Sequence, residues 1–124
     1  MGSGWEWNDR IHLYAFAARA MRHIIIDQAR KHFGAGRQFV PADELLGLTF
    51  DHDVSVIEVD EILKRLEQID SKNAQIAELR VFGGLTNEEI AMVMRISPAT
   101  VKRRLTPCRA YIMSRLGERR NVRR

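Results

Sequence analysis

The chain is poor in residues that cross-link a fold or carry out chemistry. Its 124 residues include one cysteine, Cys108, so no internal disulfide can form, and a reducing cytoplasm is the expected compartment. No charged and apolar leader opens the sequence, and no apolar run is long enough for a membrane span, so no membrane role is expected. The histidines His12, His23, His32 and His52 fit none of the tight metal-ligand spacings, and no paired-cysteine knuckle accompanies them. Asp51-His52-Asp53-Val54-Ser55 begins like a calcium loop, but Val56 stands where that loop needs glycine and Ile62 where it needs glutamate. Gly34-Ala35-Gly36 is too short for a dinucleotide fingerprint, and no nucleophile elbow or phosphate loop is present. Metal, cofactor and catalysis are therefore not expected.

What the chain does have is charge, unevenly spread. Twenty Lys and Arg against sixteen Asp and Glu leave a net +4. Residues 1–39 carry +3, residues 40–70 carry −7 and residues 71–124 carry +8. Two basic ends point to a polyanion partner, and the acidic middle to a different task. With 45% hydrophobic and 29% charged residues, the composition is that of a folded domain rather than a disordered chain.

The periodicity is helical nearly throughout. Met1-Gly2-Ser3-Gly4 reads as an artificial start and is set apart from the fold. From His12 to about His32, Tyr14, Ala17, Ala18, Met21, Ile24, Ile25 and Ala29 fall on one arc, the expected core face, with Arg19, Arg22, His23, Ile26 and Arg30 opposite. Gly34 and Gly36 end this helix. Residues 37–55, with Pro41 and Gly47, read as an acidic linker with at most a turn at Asp43 to Leu46. Val56, Val59, Ile62, Leu63 and Leu66 define the next helix face. After a break at Ile69-Asp70, Ser71 is the expected cap of a helix whose Ile76, Leu79 and Phe82 face inward and which Gly83-Gly84 stops. Met21, Met92, Met94 and Met113 are expected as core filler.

Leu85 to Leu105 is the most informative stretch. Thr86 and Glu89 form a capping box at the start of one short helix. Ser97 caps the next, with Pro98 at its first position, where a missing N–H costs nothing. Met94 to Ile96 leaves room only for a tight turn, and the small Ala91 lets the two helices approach. This is a helix-turn-helix pattern. Its second helix turns Val101, Leu105, Cys108, Ile112 and Leu116 inward and Lys102, Arg103 and Arg104 outward, placing positive charge on the helix expected to enter a major groove. Cys108 is expected as a small core residue rather than a reactive thiol.

Leu79-Arg80-Val81-Phe82-Gly83-Gly84-Leu85-Thr86-Asn87-Glu88-Glu89-Ile90-Ala91, followed by Ile96-Ser97-Pro98-Ala99-Thr100-Val101-Lys102-Arg103, resembles region 4 of bacterial sigma-70 family factors of the extracytoplasmic-function (ECF) group. The segment Phe16 to Arg30 is similar to the end of region 2 in the same group. The resemblance implies an all-α protein: the C-terminal part of region 2 at 5–36, an acidic linker at 37–55, and a four-helix region 4 domain with its helix-turn-helix at 56–120. It implies a sigma factor acting with promoter DNA and core RNA polymerase. Ala99, Thr100, Lys102 and Arg103 would read the minus-35 element, with Arg104, Arg109 and Thr86 near phosphates. Arg19, Arg22, His23 and Arg30, with the aromatics Trp5, Trp7 and Tyr14, would serve minus-10 contacts. The linker would thread the nucleic-acid channel of polymerase, and Leu79, Phe82 and Leu85 would lie near the surface offered to the beta flap. With the front half of region 2 missing, an anti-sigma-like partner or a second copy is the expected cover of the apolar region 2 helix.

Three features depart from the family pattern. The front of region 2, which clamps the beta-prime subunit, is expected to be missing. Arg95 stands where the turn commonly has glycine, and Pro107 lies inside the second helix, where a kink or break near 103–107 is expected. Two other readings stay open: a stand-alone LuxR-type helix-turn-helix regulator, and an interaction module in which the helix-turn-helix is only structural.

Overall fold

The computed structural model describes residues 3–32, 39–41 and 53–123. The first helix, α1 (Ser3–His32), begins well before His12 and takes in Ser3 and Gly4, which the sequence reading had set apart. Its orientation also differs from expectation. The buried positions are Ala18, Arg22, Ile26 and Ala29, whereas Tyr14, Met21 and Ile24 are exposed. Both sides of α1 carry apolar residues, so periodicity alone cannot choose between them. The choice is made by partners: Ala18 and Ala29 permit close approach, and Arg22 finds carboxylates on the helices it meets.

Two three-residue strands, β1 (Phe39–Pro41) and β2 (Asp53–Ser55), pair antiparallel with Phe39 opposite Ser55 and Pro41 opposite Asp53. The ends of the expected linker are thus joined, a pairing its mixed composition did not signal; the turn proposed at Asp43 to Leu46 lies outside the described residues. Ser55 then caps α2 (Val56–Ile69), its hydroxyl accepting from the Ile57 N–H at 3.2 Å. All five positions read as the inner face of α2 are buried.

Asp70 ends α2 and starts α3 (Ser71–Val81). Its carboxylate accepts from the Asn73 N–H at 3.1 Å, so the cap is Asp70 rather than Ser71. At the far end, the Leu85 N–H donates to the Leu79 carbonyl at 3.2 Å across Gly84, whose φ of 69° suits glycine. Gly83 is required for space, because a Cβ there would lie 2.6 Å from the Leu79 carbonyl oxygen. The helices α4 (Asn87–Met94) and α5 (Pro98–Arg123) follow. α5 runs through Pro107 without the expected break. Proline removes one donor, from the Arg103 carbonyl, but the turns on either side are fixed by packing of Val101, Cys108 and Ile112, all buried.

The core is shared between α1 and the four helices α2 to α5. Ile26 and Ala29 of α1 pack with Ile62 and Leu63 of α2, Ala77 of α3, and Cys108 and Ile112 of α5. Ala18 joins a second cluster with Ile76, Leu79, Leu85, Ile90, Val93 and Val101. Among the described residues the fold is all-α apart from its small ribbon, and the stretch compared with region 2 is docked on the stretch compared with region 4.

Candidate nucleic-acid interface

The helix-turn-helix is built by caps. The Thr86 hydroxyl accepts from the Glu89 N–H at 3.1 Å while Glu89 Oε1 accepts from the Thr86 N–H at 2.9 Å, so the box fixes where α4 starts. Arg95 ends α4 at φ 60° and ψ 44°, the left-handed backbone expected of this position despite its side chain. The Ile96 N–H then reaches the Ala91 carbonyl at 3.0 Å, closing the turn over a buried alanine. The Ser97 hydroxyl accepts from the Thr100 N–H at 3.0 Å, with Pro98 as the first residue of α5.

These caps aim the start of α5 outward. Ala99, Lys102 and Arg103 are exposed, Thr100 is half-buried, and Val101 between them is fully buried against α4. An Arg103 Nη donates to the Thr100 hydroxyl at 3.1 Å, which in turn lies 2.8 Å from the Ser97 hydroxyl. A short polar chain thus runs from the helix cap to the guanidinium and limits its rotamers. One turn on, the Thr106 hydroxyl donates to the Lys102 carbonyl at 3.0 Å. Arg104 is turned aside: its guanidinium donates to the Asn73 side chain at 3.0 Å, tying α5 to α3. Arg109 is half-buried beside Arg80 and Ala77, and Thr86 is exposed.

The α1 cations do not form the basic face expected of them. Arg22 is buried, its Nε 2.6 Å from Asp60 Oδ1 and one Nη 2.8 Å from Glu78 and 3.0 Å from Glu67, with a further bond to the Asp60 carbonyl at 3.0 Å. Its guanidinium also lies 5.8 Å from the Phe82 ring centroid. Arg19, half exposed, pairs with Glu67 at 3.0 Å and Glu78 at 2.9 Å, and Lys64 reaches Asp60 at 3.6 Å. Three cations thus meet three carboxylates. Burial pushes the Arg22 pKa down, but hydrogen bonds to Glu78 and Asp60 outweigh it and raise the pKa above its ordinary value. Arg22 is a core cation, its guanidinium turned to carboxylates rather than to solvent as the basic-face reading expected. His23 and Arg30 are exposed but border a cleft with Asp27, Asp60 and Lys64, where the charges are mixed. Tyr14 is exposed, while the side chains of Trp5 and Trp7 lie outside the described residues.

Of the residues expected near the polymerase surface, Leu79 and Leu85 are buried in the cluster with Ala18, Ile90 and Val101, and Phe82 in the cluster with Ile26, Ile62 and Ile112. The inward periodicity of α3 had placed the first two there already. Met21 and Met92 are exposed rather than core filler, while Met94 and Met113 are half-buried. Cys108 is buried, its thiol 3.5 Å from the Asn73 carbonyl, and burial pushes its pKa up to about 11.

Sequence reasoning missed the Arg22 cluster, although a signal existed. Asp60 and Glu78 sit at core phase on α2 and α3, beside Val59 and Leu63 and beside Ala77 and Leu79, where a carboxylate needs a buried cation.

An all-helical bundle that presents the exposed start of α5 beyond a capped tight turn is a helix-turn-helix protein. Within that class, the family model for ECF sigma factors matches residues 2–118. The chain belongs to the ECF sigma factor family, and its role is that of a sigma factor in transcription initiation, with core RNA polymerase and promoter DNA as the partners the family implies. No curated protein and no solved structure matches the chain. Among the described residues, no helix is long and apolar enough to cross a membrane and no group of His, Cys, Asp or Glu is placed to hold a metal ion.

Proposed function

We propose that α5 reads the minus-35 promoter element from the major groove, with Arg103 as the chief base-reading residue. The observation that carries this reading is the Ser97–Thr100–Arg103 chain at the exposed start of α5, which orders a guanidinium before DNA arrives. A held arginine can donate two parallel hydrogen bonds to a guanine edge and loses less freedom in doing so. Lys102 and Ala99 share the exposed face, and Thr86 at the start of α4 is placed to meet a phosphate beside the helix N-terminus. Arg109 reaches the backbone from the side, and Arg104 contributes by fixing the angle of α5 through Asn73.

The test compares promoter and scrambled duplexes over a range of salt. Arg103→Ala should lose about 1–3 kcal/mol on the promoter and little on the scrambled duplex, whereas Lys102→Ala should lower the salt slope on both. An Arg103→Ala protein that still distinguishes the two duplexes as well as the parent would remove Arg103 from base reading. Failure of the parent to bind either duplex at low salt would leave the helix-turn-helix a structural element.

A further inference from the structure

α5 is seated in two core clusters and is weakest where it passes from one to the other. Val101 is buried with Ile76 and Ile90, and Leu105 packs against them, whereas Cys108, Ile112 and Leu116 belong to the cluster of Ile62 and Leu63. Pro107 lies at the boundary and has no N–H to give the Arg103 carbonyl. Beside it on the exposed side, the Thr106 hydroxyl donates to the Lys102 carbonyl at 3.0 Å, a bond that competes with the helical ladder and favours bending. Ala99, Thr100, Lys102 and Arg103 all precede this joint.

The other side of α5 is gripped by Asn73 of α3. Its Oδ1 accepts from an Arg104 Nη at 3.0 Å, before the proline, and its carbonyl accepts from the Cys108 Sγ at 3.5 Å, after it. Arg104 and Cys108 are four residues apart, so they stand one above the other on the face turned to α3. Asn73 is itself fixed, because its N–H donates to the Asp70 carboxylate at 3.1 Å in the first turn of α3.

We infer that Asn73 is a positioning residue that sets sequence discrimination: it clamps α5 across the Pro107 joint and so fixes the angle at which the segment carrying Arg103 meets the groove. Without the side-chain half of the clamp, Cys108, Ile112 and Leu116 still hold the C-terminal part of α5 in its cluster. The first turns of α5 can then pivot about Thr106 and Pro107. Arg103 loses the fixed approach that two parallel bonds to one base edge need, whereas phosphate contacts tolerate a changed angle and survive. Aspartate at position 73 keeps an acceptor for Arg104, and alanine does not. This role rests on the reading of α5 as the helix that enters the groove.

Binding of the full chain to promoter and scrambled duplexes, with amide hydrogen exchange of the free protein, tests it for Asn73→Ala and Asn73→Asp, each with and without Pro107→Ala. Asn73→Ala should lower the promoter-to-scrambled affinity ratio about fivefold or more. It should also speed exchange of the Leu105 and Thr106 amides by about tenfold and leave that of Ile112 unchanged. Asn73→Asp should keep the ratio within about twofold of the parent. Pro107→Ala restores the backbone bond and stiffens the joint, so in its presence Asn73→Ala should cost less than about twofold. An equal loss with and without Pro107→Ala overturns the proposal, since Asn73 would then act on the fold at large rather than across the joint. A ratio that Arg103→Ala abolishes and Asn73→Ala leaves unchanged overturns the clamp alone and keeps the groove reading. A ratio that Arg103→Ala leaves as in the parent overturns both.

Discussion

Arg22 shows how far a residue's role depends on what surrounds it. The side chain is 3% exposed and touches Asp60, Glu67 and Glu78, so its removal would leave carboxylates in the core without their cation. Breaking a buried pair from one side is costly, and Arg22→Ala should destabilise the protein by about 3–5 kcal/mol in denaturant titration. Arg22→Lys should recover only part of this, since a point ammonium cannot donate to all three carboxylates in the forked geometry. Cys108 makes the opposite case, a group whose neutral form is favoured. Its folded pKa of about 11 lies above the ordinary value of 9.0, so the unfolded thiol ionises first as pH rises. Stability should therefore fall between pH 9 and 11, by up to about 1.4 kcal/mol per unit crossed, and Cys108→Ala should flatten that part of the profile. The residues whose neighbours are local in sequence, such as Thr86 with Glu89 and Ser97 with Thr100, were legible in advance. Arg22 was not, because its partners lie 38, 45 and 56 positions away.

At the scale of elements, the same division recurs. α4, the turn and α5 could be read nearly residue by residue, since caps, a left-handed position and a single inward stripe are local signals. α1 could be recognised as a helix but not oriented, because its two apolar sides satisfy the same periodicity and only α2 and α3 decide between them. The β1–β2 ribbon was missed for a related reason: three-residue strands carry too little pattern, and their pairing is fixed by where the helices on either side are docked. Pro107 offers a test at this scale. It is exposed within a continuous α5, so Pro107→Ala restores a backbone donor to the Arg103 carbonyl without altering the core. The substitution should raise stability by about 1–3 kcal/mol, measured by denaturant titration. Duplex binding by the same variant would show whether the missing bond matters to how Arg103 is presented.

For the molecule as a whole, the net charge of +4 understates a division of labour. Two cations of α1 are consumed internally, Arg19 and Arg22 by Glu67 and Glu78 and Arg22 also by Asp60, which Lys64 of α2 reaches too. The exposed start of α5 keeps its own positive charge on Lys102 and Arg103. Because α1 and α2 to α5 share both core clusters, they should unfold together rather than as separate modules. Native-state hydrogen exchange checks this: amides between 18 and 29 and amides between 56 and 66 should open with the same free energy. Earlier opening of the first set would mean that α1 is only loosely docked.

The buried Arg22 cluster also sets a schedule for synthesis. Arg22 leaves the ribosome long before its partners, and Glu78 follows 56 residues later. At about 5–20 residues per second that gap is roughly 3–11 s, and the cluster that ties α1 to α2 and α3 cannot close before it ends. Until then Arg19 and Arg22 lack Glu78, and this last carboxylate of the cluster, on α3, is what completes it.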